Sequence, residues 1–128
     1  MMTLITNDIK VSVEAFYHGE HSRPAKARYV FSYRVTIENL GIEAVQLLRR
    51  HWYIFDSVGI TREVEGEGVI GQQPIILPGE THQYTSWCPL LTSLGKMHGT
   101  FLMQRQSDGF IFEADIPEFR LMAPSIMN

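Results

Sequence analysis

The clearest strand signal in the chain is Tyr29-Val30-Phe31-Ser32-Tyr33-Arg34-Val35-Thr36-Ile37-Glu38. Its odd positions are all apolar or aromatic and most of its even positions are polar, which is the alternation of a strand with one buried face. Residues 9–14 and 110–116 alternate in the same way. No segment has an apolar stripe at helical spacing, so the pattern predicts strands along most of the chain.

Turn-forming residues separate these runs at Asn39-Leu40-Gly41, Pro78-Gly79 and Asp108-Gly109, as expected for connections between antiparallel strands. We predict an all-β fold, a seven- to eight-stranded antiparallel β-sandwich of the fibronectin type III or immunoglobulin kind. Trp52 is the candidate for the buried tryptophan of such sandwiches. Seven predicted strands lie near residues 9–16, 28–39, 44–56, 60–65, 81–88, 96–105 and 110–116, with polar loops at 18–26 and 66–77.

Size and charge limit the function classes. The chain has 128 residues, 45% of them hydrophobic, and a formal net charge of -3, so we expect one domain, residues 1–128, without general attraction to nucleic acid or membranes. Cys88 is the sole cysteine, which excludes an internal disulfide and suits a reducing compartment. No leader-like segment begins the chain and no run could span a bilayer. We expect a soluble cytoplasmic protein.

A glycine motif stands in the second half of the chain. Gly66, Gly68 and Gly71 have the G-x-G-x-x-G spacing that holds a pyrophosphate in dinucleotide-binding folds. In those folds the last glycine begins a helix. Pro74 and Pro78 follow here, and proline inside a helix costs about 3 kcal/mol. We therefore expect no dinucleotide-binding fold.

Two interpretations of the three glycines remain open. Backbone amides of a glycine-rich turn can bind an anion without a helix, which makes Gly66, Gly68 and Gly71 anion-site candidates. Glutamates at 63, 65 and 67 disfavour a polyphosphate there unless Arg49 or Arg50 folds over the loop. The alternative is that the glycines serve the backbone geometry of a loop at one end of the sandwich.

The same loop contains two apolar residues between glycines, Val69 and Ile70. An apolar loop tip on a rigid scaffold can anchor a protein partner. Equally, the two side chains could fold back and close the core. We keep both residues as partner-binding candidates.

Other chemistry has weaker support. His18, Glu20 and His21 are close in sequence in a polar loop, and the remaining histidines at 51, 82 and 98 are isolated from one another. If the strands at 81–88 and 96–105 formed a hairpin, Cys88 and His98 would share one face. A cysteine before a proline at a strand end is more typical of a small buried residue. We predict no metal site, no cofactor and no catalytic residue.

One basic and aromatic cluster, residues 49–53, could in principle contact nucleic acid. Alternation sends its successive side chains to opposite faces of a strand. We therefore do not expect nucleic-acid binding.

Ordered blocks along residues 5–124 resemble the bacterial ApaG family. They are Arg28-Tyr29-Val30-Phe31, Val35-Thr36-Ile37-Glu38-Asn39, Val45-Gln46-Leu47-Leu48, Arg50-His51-Trp52, the glycine segment through Gln73-Pro74, Pro78-Gly79-Glu80, Tyr84-Thr85-Ser86, Cys88-Pro89-Leu90, Gly95-Lys96-Met97-His98-Gly99 and Ile116-Pro117-Glu118-Phe119. Trp87 departs from the family, which more often has a small residue there.

This resemblance implies a fibronectin type III-like sandwich and little chemistry. Bacterial members are often encoded beside a diadenosine-tetraphosphate hydrolase and are linked to cobalt resistance and magnesium efflux, without an accepted activity. Eukaryotic relatives are domains of an F-box protein and of a polymerase-delta interacting protein, where the domain looks like a protein-binding module.

These observations lead to one functional hypothesis and one alternative. The hypothesis is a non-enzymatic protein-binding or regulatory module of unknown partner, which could also form a homodimer through a sheet edge. The alternative is a small-ligand accessory factor in nucleotide or polyphosphate metabolism, or in the homeostasis of a divalent cation such as cobalt or magnesium.

Overall fold

A computed structural model describes residues 1–124 of the chain, so residues 125–128 of the predicted domain lie outside the described part. The described residues form nine strands and two short 3-10 turns, Gly19–His21 and Pro24–Lys26. None of their helical segments is long and apolar enough to cross a membrane. The strands are β1 (Met2–Thr6), β2 (Ile9–Tyr17), β3 (Tyr29–Asn39), β4 (Val45–Asp56), β5 (Thr61–Glu67), β6 (Ile75–Ile76), β7 (Thr81–Leu90), β8 (Leu94–Arg105) and β9 (Ile111–Met122).

The strands form two antiparallel sheets. The first has the order β1-β2-β3-β7, and the second has the order β5-β4-β8-β9 with β6 added beside β4. The predicted all-β sandwich is therefore confirmed, with nine strands in residues 1–124 rather than seven to eight.

One unpredicted strand, β1, and the C-terminal end of β9 differ from the prediction because of local residue chemistry. The sequence gives no sign of β1, since its side chains are mostly exposed and lack a clear alternation. A two-residue turn joins it to β2, and Asn7 and Asp8 adopt φ values of 50° and 64°, a conformation that these residue types tolerate. β9 continues past Pro117 because it has only one paired neighbour, and the register shifts between Met97 and Gly99 opposite the proline.

The hairpin considered between the strands at 81–88 and 96–105 does not form. β7 pairs with β3 in the first sheet, whereas β8 pairs with β4 and β9 in the second. The short connection from Leu90 to Leu94 therefore crosses from one sheet to the other. Cys88 and His98 lie on different sheets, which corrects the shared face that a hairpin would have given them.

The core lies between the sheets and is aromatic at its centre. Trp52 is 2% exposed, as predicted for this residue. Its ring contacts Tyr33 at 5.1 Å, Phe119 at 6.0 Å and Phe101 at 6.4 Å between ring centroids. Such edge-on contacts are favourable between aromatic rings, so both sheets are joined through this tryptophan.

Side chains link the sheets along both of their long sides. On one side the Asn7 side-chain amide donates to the Glu113 carbonyl at 3.0 Å, and the Asp115 amide donates to the Thr6 hydroxyl at 3.3 Å. On the other side the Arg62 guanidinium of β5 donates to the Pro89 carbonyl of β7 at 2.7 Å. Both sides of the sandwich are thus closed by hydrogen bonds as well as by core packing.

Candidate functional site

The glycine segment forms a short excursion along one edge of β4. β5 and β6 both pair with this edge, and residues 68–74 connect them. The opposing part of β4 contains a β-bulge, where the register with β8 shifts between Leu47 and Arg49. The Leu48 carbonyl accepts the Gly68 amide at 2.8 Å and the Gln73 side-chain amide at 3.0 Å. The segment is therefore fastened to the sheet at both ends.

At the tip of the excursion lies a tight turn. Val69 and Gln72 exchange both backbone hydrogen bonds, at 2.8 and 3.0 Å. Ile70 and Gly71 lie between them with φ values of 48° and 72°. Two successive positive φ values are typical of the two-residue turns that match the twist of antiparallel strands. We refer to residues 66–73 as the glycine turn.

Each glycine of the motif has a local structural role. A side chain at Gly66 would come within 2.9 Å of the Arg50 guanidinium. A side chain at Gly68, where φ is 60°, would overlap the carbonyl oxygen of Gln72. Gly71 has open space around it and needs only the positive φ. Loop geometry therefore accounts for the G-x-G-x-x-G spacing.

Three backbone amides of the glycine turn and one guanidinium beside it already have hydrogen-bond partners. The amides of Gly68, Val69 and Gln72 donate to backbone carbonyls. Arg50 does fold over the loop, but its Nη1 donates to the carbonyls of Glu67 and Gly68, each at 2.9 Å. An anion at Gly68 or among these donors would have to displace these bonds, which disfavours an anion site in this part of the turn.

The structure separates the two apolar candidates of the loop. Val69 is 1% exposed and belongs to the core, whereas Ile70 is 61% exposed. Because the sandwich covers Val69, this side chain cannot contact a partner, and the prediction that it could is corrected. Ile70 remains a candidate.

Residues 49–53 divide between the two faces of β4, as the alternation predicts. Arg50 and Trp52 share the inner side, while Arg49 is exposed on the outer side. His51 and Tyr53 also lie on the outer side, where their rings stack with centroids 4.5 Å apart.

The stack continues onto β8. His98 lies parallel to Tyr53 at 5.1 Å and to Phe55 at 5.5 Å, so four rings cover the outer face of the second sheet. The residue pattern of each strand does not predict this arrangement, because the stack depends on the register that places Tyr53 of β4 opposite His98 of β8. The i, i+2, i+4 spacing of residues 51, 53 and 55 was the available signal.

Two carboxylates of β5 flank the end of this ring stack. The Nδ1 atom of His51 lies 2.8 Å from Glu65, and its Nε2 atom lies 3.5 Å from Glu63. Two of the three glutamates that were expected to repel a polyphosphate therefore lie on the outer sheet face beside a histidine, and not in the glycine turn.

Cys88 has the surroundings of a structural cysteine. It is 2% exposed, and burial raises the pKa of its thiol, although the nearby Arg62 guanidinium acts in the opposite direction. A buried protonated thiol is a poor nucleophile. No histidine ring hydrogen bond to Cys88 is found in residues 1–124.

The histidines of the polar loop are ordered by contacts with the first sheet. His18 Nε2 lies 2.7 Å from the Ser32 hydroxyl, and the His18 ring lies 4.5 Å from that of Trp87. His18 and His21 both approach the Glu20 carboxylate, at 3.2 and 3.8 Å. In the part of the chain described, no group of three His, Cys, Asp or Glu side chains is placed to hold a metal ion.

Comparison with known proteins places this architecture in a family. The family model described as the ApaG domain matches residues 19–105. The protein named ApaG from Brucella anthropi is 48% identical over 124 residues, which cover 97% of this chain and 95% of that protein. The protein named ApaG from Paramagnetospirillum magneticum is 46% identical over the same length.

A solved structure agrees. The crystal structure of a Bordetella pertussis protein named ApaA superposes with a TM-score of 0.88 and 46% sequence identity, over 91% of this chain and 94% of the other. The matches cover both sheets and the glycine turn. This chain belongs to the ApaG domain family.

Proposed function

We propose that this protein is a non-enzymatic protein-binding module and that Ile70 is one of its contact residues. The observation that carries the proposal is the conformation of this residue. Ile70 has a φ of 48° and is 61% exposed. A β-branched residue in the left-handed region is strained by about 1–2 kcal/mol. Since the exposed side chain adds little to the core, the fold gains nothing from isoleucine at this position.

The backbone beneath Ile70 is rigid. The paired Val69 and Gln72 amides close the turn, the buried Val69 side chain fixes it to the core, and Arg50 binds the carbonyls before it. A rigid loop that presents an apolar side chain loses little conformational entropy when a partner binds. Binding residues are concentrated on such loops.

The non-enzymatic part of the proposal is supported by the surroundings of Cys88. This cysteine is buried with a raised thiol pKa, and His98, which would share its face only in a hairpin, lies on the other sheet.

Affinity capture with a matched pair of variants tests the proposal. Tagged wild-type protein is expected to retain a stoichiometric partner from its native lysate, identified by quantitative mass spectrometry. Ile70→Asn removes the apolar side chain and introduces a residue that tolerates the turn, so we expect at least a tenfold loss of partner, roughly 1.4 kcal/mol or more.

The control is Val58→Asn. Val58 is 63% exposed and lies in the connection between β4 and β5, at the far end of β5 from the glycine turn. This variant should retain the partner. If Ile70→Asn captures the same protein at full yield, or if the wild type retains no stoichiometric protein, the proposal is wrong.

Association through a sheet edge is a separate proposal for how copies of the chain could pair. β5 and β7 each have one paired strand neighbour. β5 has glutamates at 63, 65 and 67 along its length, and charged side chains oppose edge-to-edge pairing. Of these two edges, we therefore expect β7 rather than β5 to support a homodimer, whose formation light scattering at increasing protein concentration would detect.

A further inference from the structure

Four cationic side chains line one cavity of about 420 Å³ at an end of the sandwich: Arg23, Lys26, Arg28 and Arg62. The first three belong to the connection between β2 and β3, and the fourth belongs to β5. Within residues 1–124, none of the four has a carboxylate oxygen within 4.0 Å, whereas Arg34, Lys96 and Arg105 each have one. Other Lys and Arg side chains of these residues are unpaired as well, so the feature that sets the four apart is the cavity that they share.

These cations are positioned by hydrogen bonds of the backbone. Arg23 and Arg28 exchange both backbone hydrogen bonds, at 2.7 and 3.0 Å. Ala27 closes the turn between them with a φ of 52°. Arg23 Nη1 donates to the Ser22 carbonyl at 3.1 Å and Arg62 Nη2 donates to the Pro89 carbonyl at 2.7 Å. Each of these guanidinium groups is thus held in place and keeps its other N–H donors for a ligand. Binding an anion here would therefore require little reorganisation of the loop.

One carboxylate, Asp56, also lines the cavity, but it is engaged by its own turn. Its Oδ1 atom accepts the amides of Val58 and Ile60, both at 3.3 Å. Four cations thus face one carboxylate in a chain whose net charge is -3. A concave surface lined by charge of one sign attracts and concentrates ions of the opposite sign.

The cavity has an aromatic extension. A second cavity of about 450 Å³ shares Arg28 and Pro89 with the first and is also lined by His21, Val30 and Trp87. Trp87 is 54% exposed. A ligand that crosses both cavities would meet cations at one end and an indole ring at the other.

We propose that these two cavities form a binding site for an organic phosphate, with the phosphate group among the four cations and an aromatic body beside Trp87. A guanidinium group can donate two parallel hydrogen bonds to two phosphate oxygens, and such charge-assisted hydrogen bonds are about twice as strong as neutral ones. An indole ring gives an aromatic body a surface for stacking. The site goes beyond the proposed partner contact at Ile70, because it lies beside Arg62 at the other end of β5.

In sequence, the β2–β3 connection has only the composition of a polar loop. Arg23, Lys26 and Arg28 are near one another in sequence, but Arg62 and Trp87 are distant. The pairing of β3 with β7 brings Trp87 opposite Ser32, and the Arg62 contact with Pro89 adds the fourth cation. Only the packed structure assembles the site.

Amide NMR titrations with inorganic phosphate and phenyl phosphate test the proposal. We expect saturable shifts at Lys26, Ala27 and Arg28 with both compounds, and several-fold tighter binding of phenyl phosphate because it also reaches Trp87. Equal affinities would show a site for the phosphate group alone and would overturn the aromatic half of the proposal. Shifts confined to residues 66–71, or no saturable shifts, would overturn the whole site.

Three variants separate the contributions, each checked by its melting temperature and amide spectrum. Arg28→Gln should lower the affinity for both compounds about tenfold. Trp87→Ala should remove the advantage of phenyl phosphate and leave the affinity for inorganic phosphate unchanged. Arg49→Gln makes the same charge change at an exposed arginine beside the glycine turn and should have no effect. An equal loss in Arg28→Gln and Arg49→Gln would show general charge attraction and overturn the site.

Discussion

The glycine turn and the connection between β2 and β3 use arginine in opposite ways. In the glycine turn, Arg50 donates to two backbone carbonyls of the loop that it covers. In the β2–β3 connection, Arg28 lines a cavity, and no carboxylate lies within 4.0 Å of it in residues 1–124. Each region also has a non-glycine residue at positive φ, Ile70 in the first and Ala27 in the second.

This difference separates the position of a sequence motif from the position of cations that line a cavity. The glycine turn has the spacing of a phosphate loop, yet the amides of Gly68, Val69 and Gln72 and the Arg50 guanidinium already donate to carbonyls of the chain. The β2–β3 connection has no recognised motif, yet its cations face a cavity. Binding capacity depends on donors and charges that the folded chain leaves unsatisfied.

The largest effect that tests this comparison concerns the buried half of the glycine turn. Val69→Asp places a carboxylate in the core, where an unpaired charge is strongly disfavoured, and we expect a loss of more than about 4 kcal/mol of unfolding free energy. Ile70→Asp places the same group in solvent and should change stability by less than about 1 kcal/mol. Urea denaturation measures both. Comparable losses would contradict the separation of core and surface at these neighbours.

A second, smaller effect is expected at the glycines themselves. Gly68→Ala should lower the unfolding free energy by about 3 kcal/mol, because its new methyl group meets the Gln72 carbonyl and φ is positive. Gly71→Ala has the same φ penalty in open space and should cost about 1 kcal/mol. If the two losses were equal, close backbone approach would not explain the motif.

The two arginines provide the third test. Arg50→Met removes two hydrogen bonds to loop carbonyls and should lower the unfolding free energy by about 2 kcal/mol. Arg28→Met should stay within about 0.5 kcal/mol of the wild type, because the side chain is exposed. Thermal and urea unfolding of both variants compares them directly. A large loss in Arg28→Met would mean that this side chain is structural and not available to a ligand.

The smallest expected effect is a gain. Ile70→Gly removes the steric cost of a β-branched residue at positive φ. We expect the unfolding free energy to rise by up to about 1 kcal/mol. Val58→Gly, at a similarly exposed position outside the turn, should give no gain. A destabilised Ile70→Gly would show that the isoleucine side chain supports the fold, which would remove the main support for its role in partner binding.

Much of the fold was accessible from residue patterns, because alternation reports directly on one-sided burial. The odd positions of β3 from Phe31 onward are buried as predicted, and Trp52 lies in the core. β1 was missed because its side chains are mostly exposed and its two-residue turn uses Asn7 and Asp8. The predicted end of the last strand at residue 116 is too early, because a proline at 117 is compatible with an edge strand opposite a bulge.

Less of the candidate site could be predicted. Val69 and Ile70 are neighbours of similar chemistry, and only the geometry of the turn decides which of them reaches the core. Likewise, residue types at 51, 53 and 98 do not indicate that their rings stack, because the stack depends on the register between β4 and β8.

Local pattern was enough to establish the strands, their buried faces and the incompatibility of Pro74 with a phosphate-binding helix, because these properties depend on residues close together in the chain. Only the tertiary structure shows that β7 and β8 belong to different sheets and that Arg50 donates to the loop carbonyls. It also places Arg62 beside the β2–β3 connection. Those outcomes depend on long-range pairing, since a strand's side-chain pattern specifies which face is buried but not which strand lies beside it.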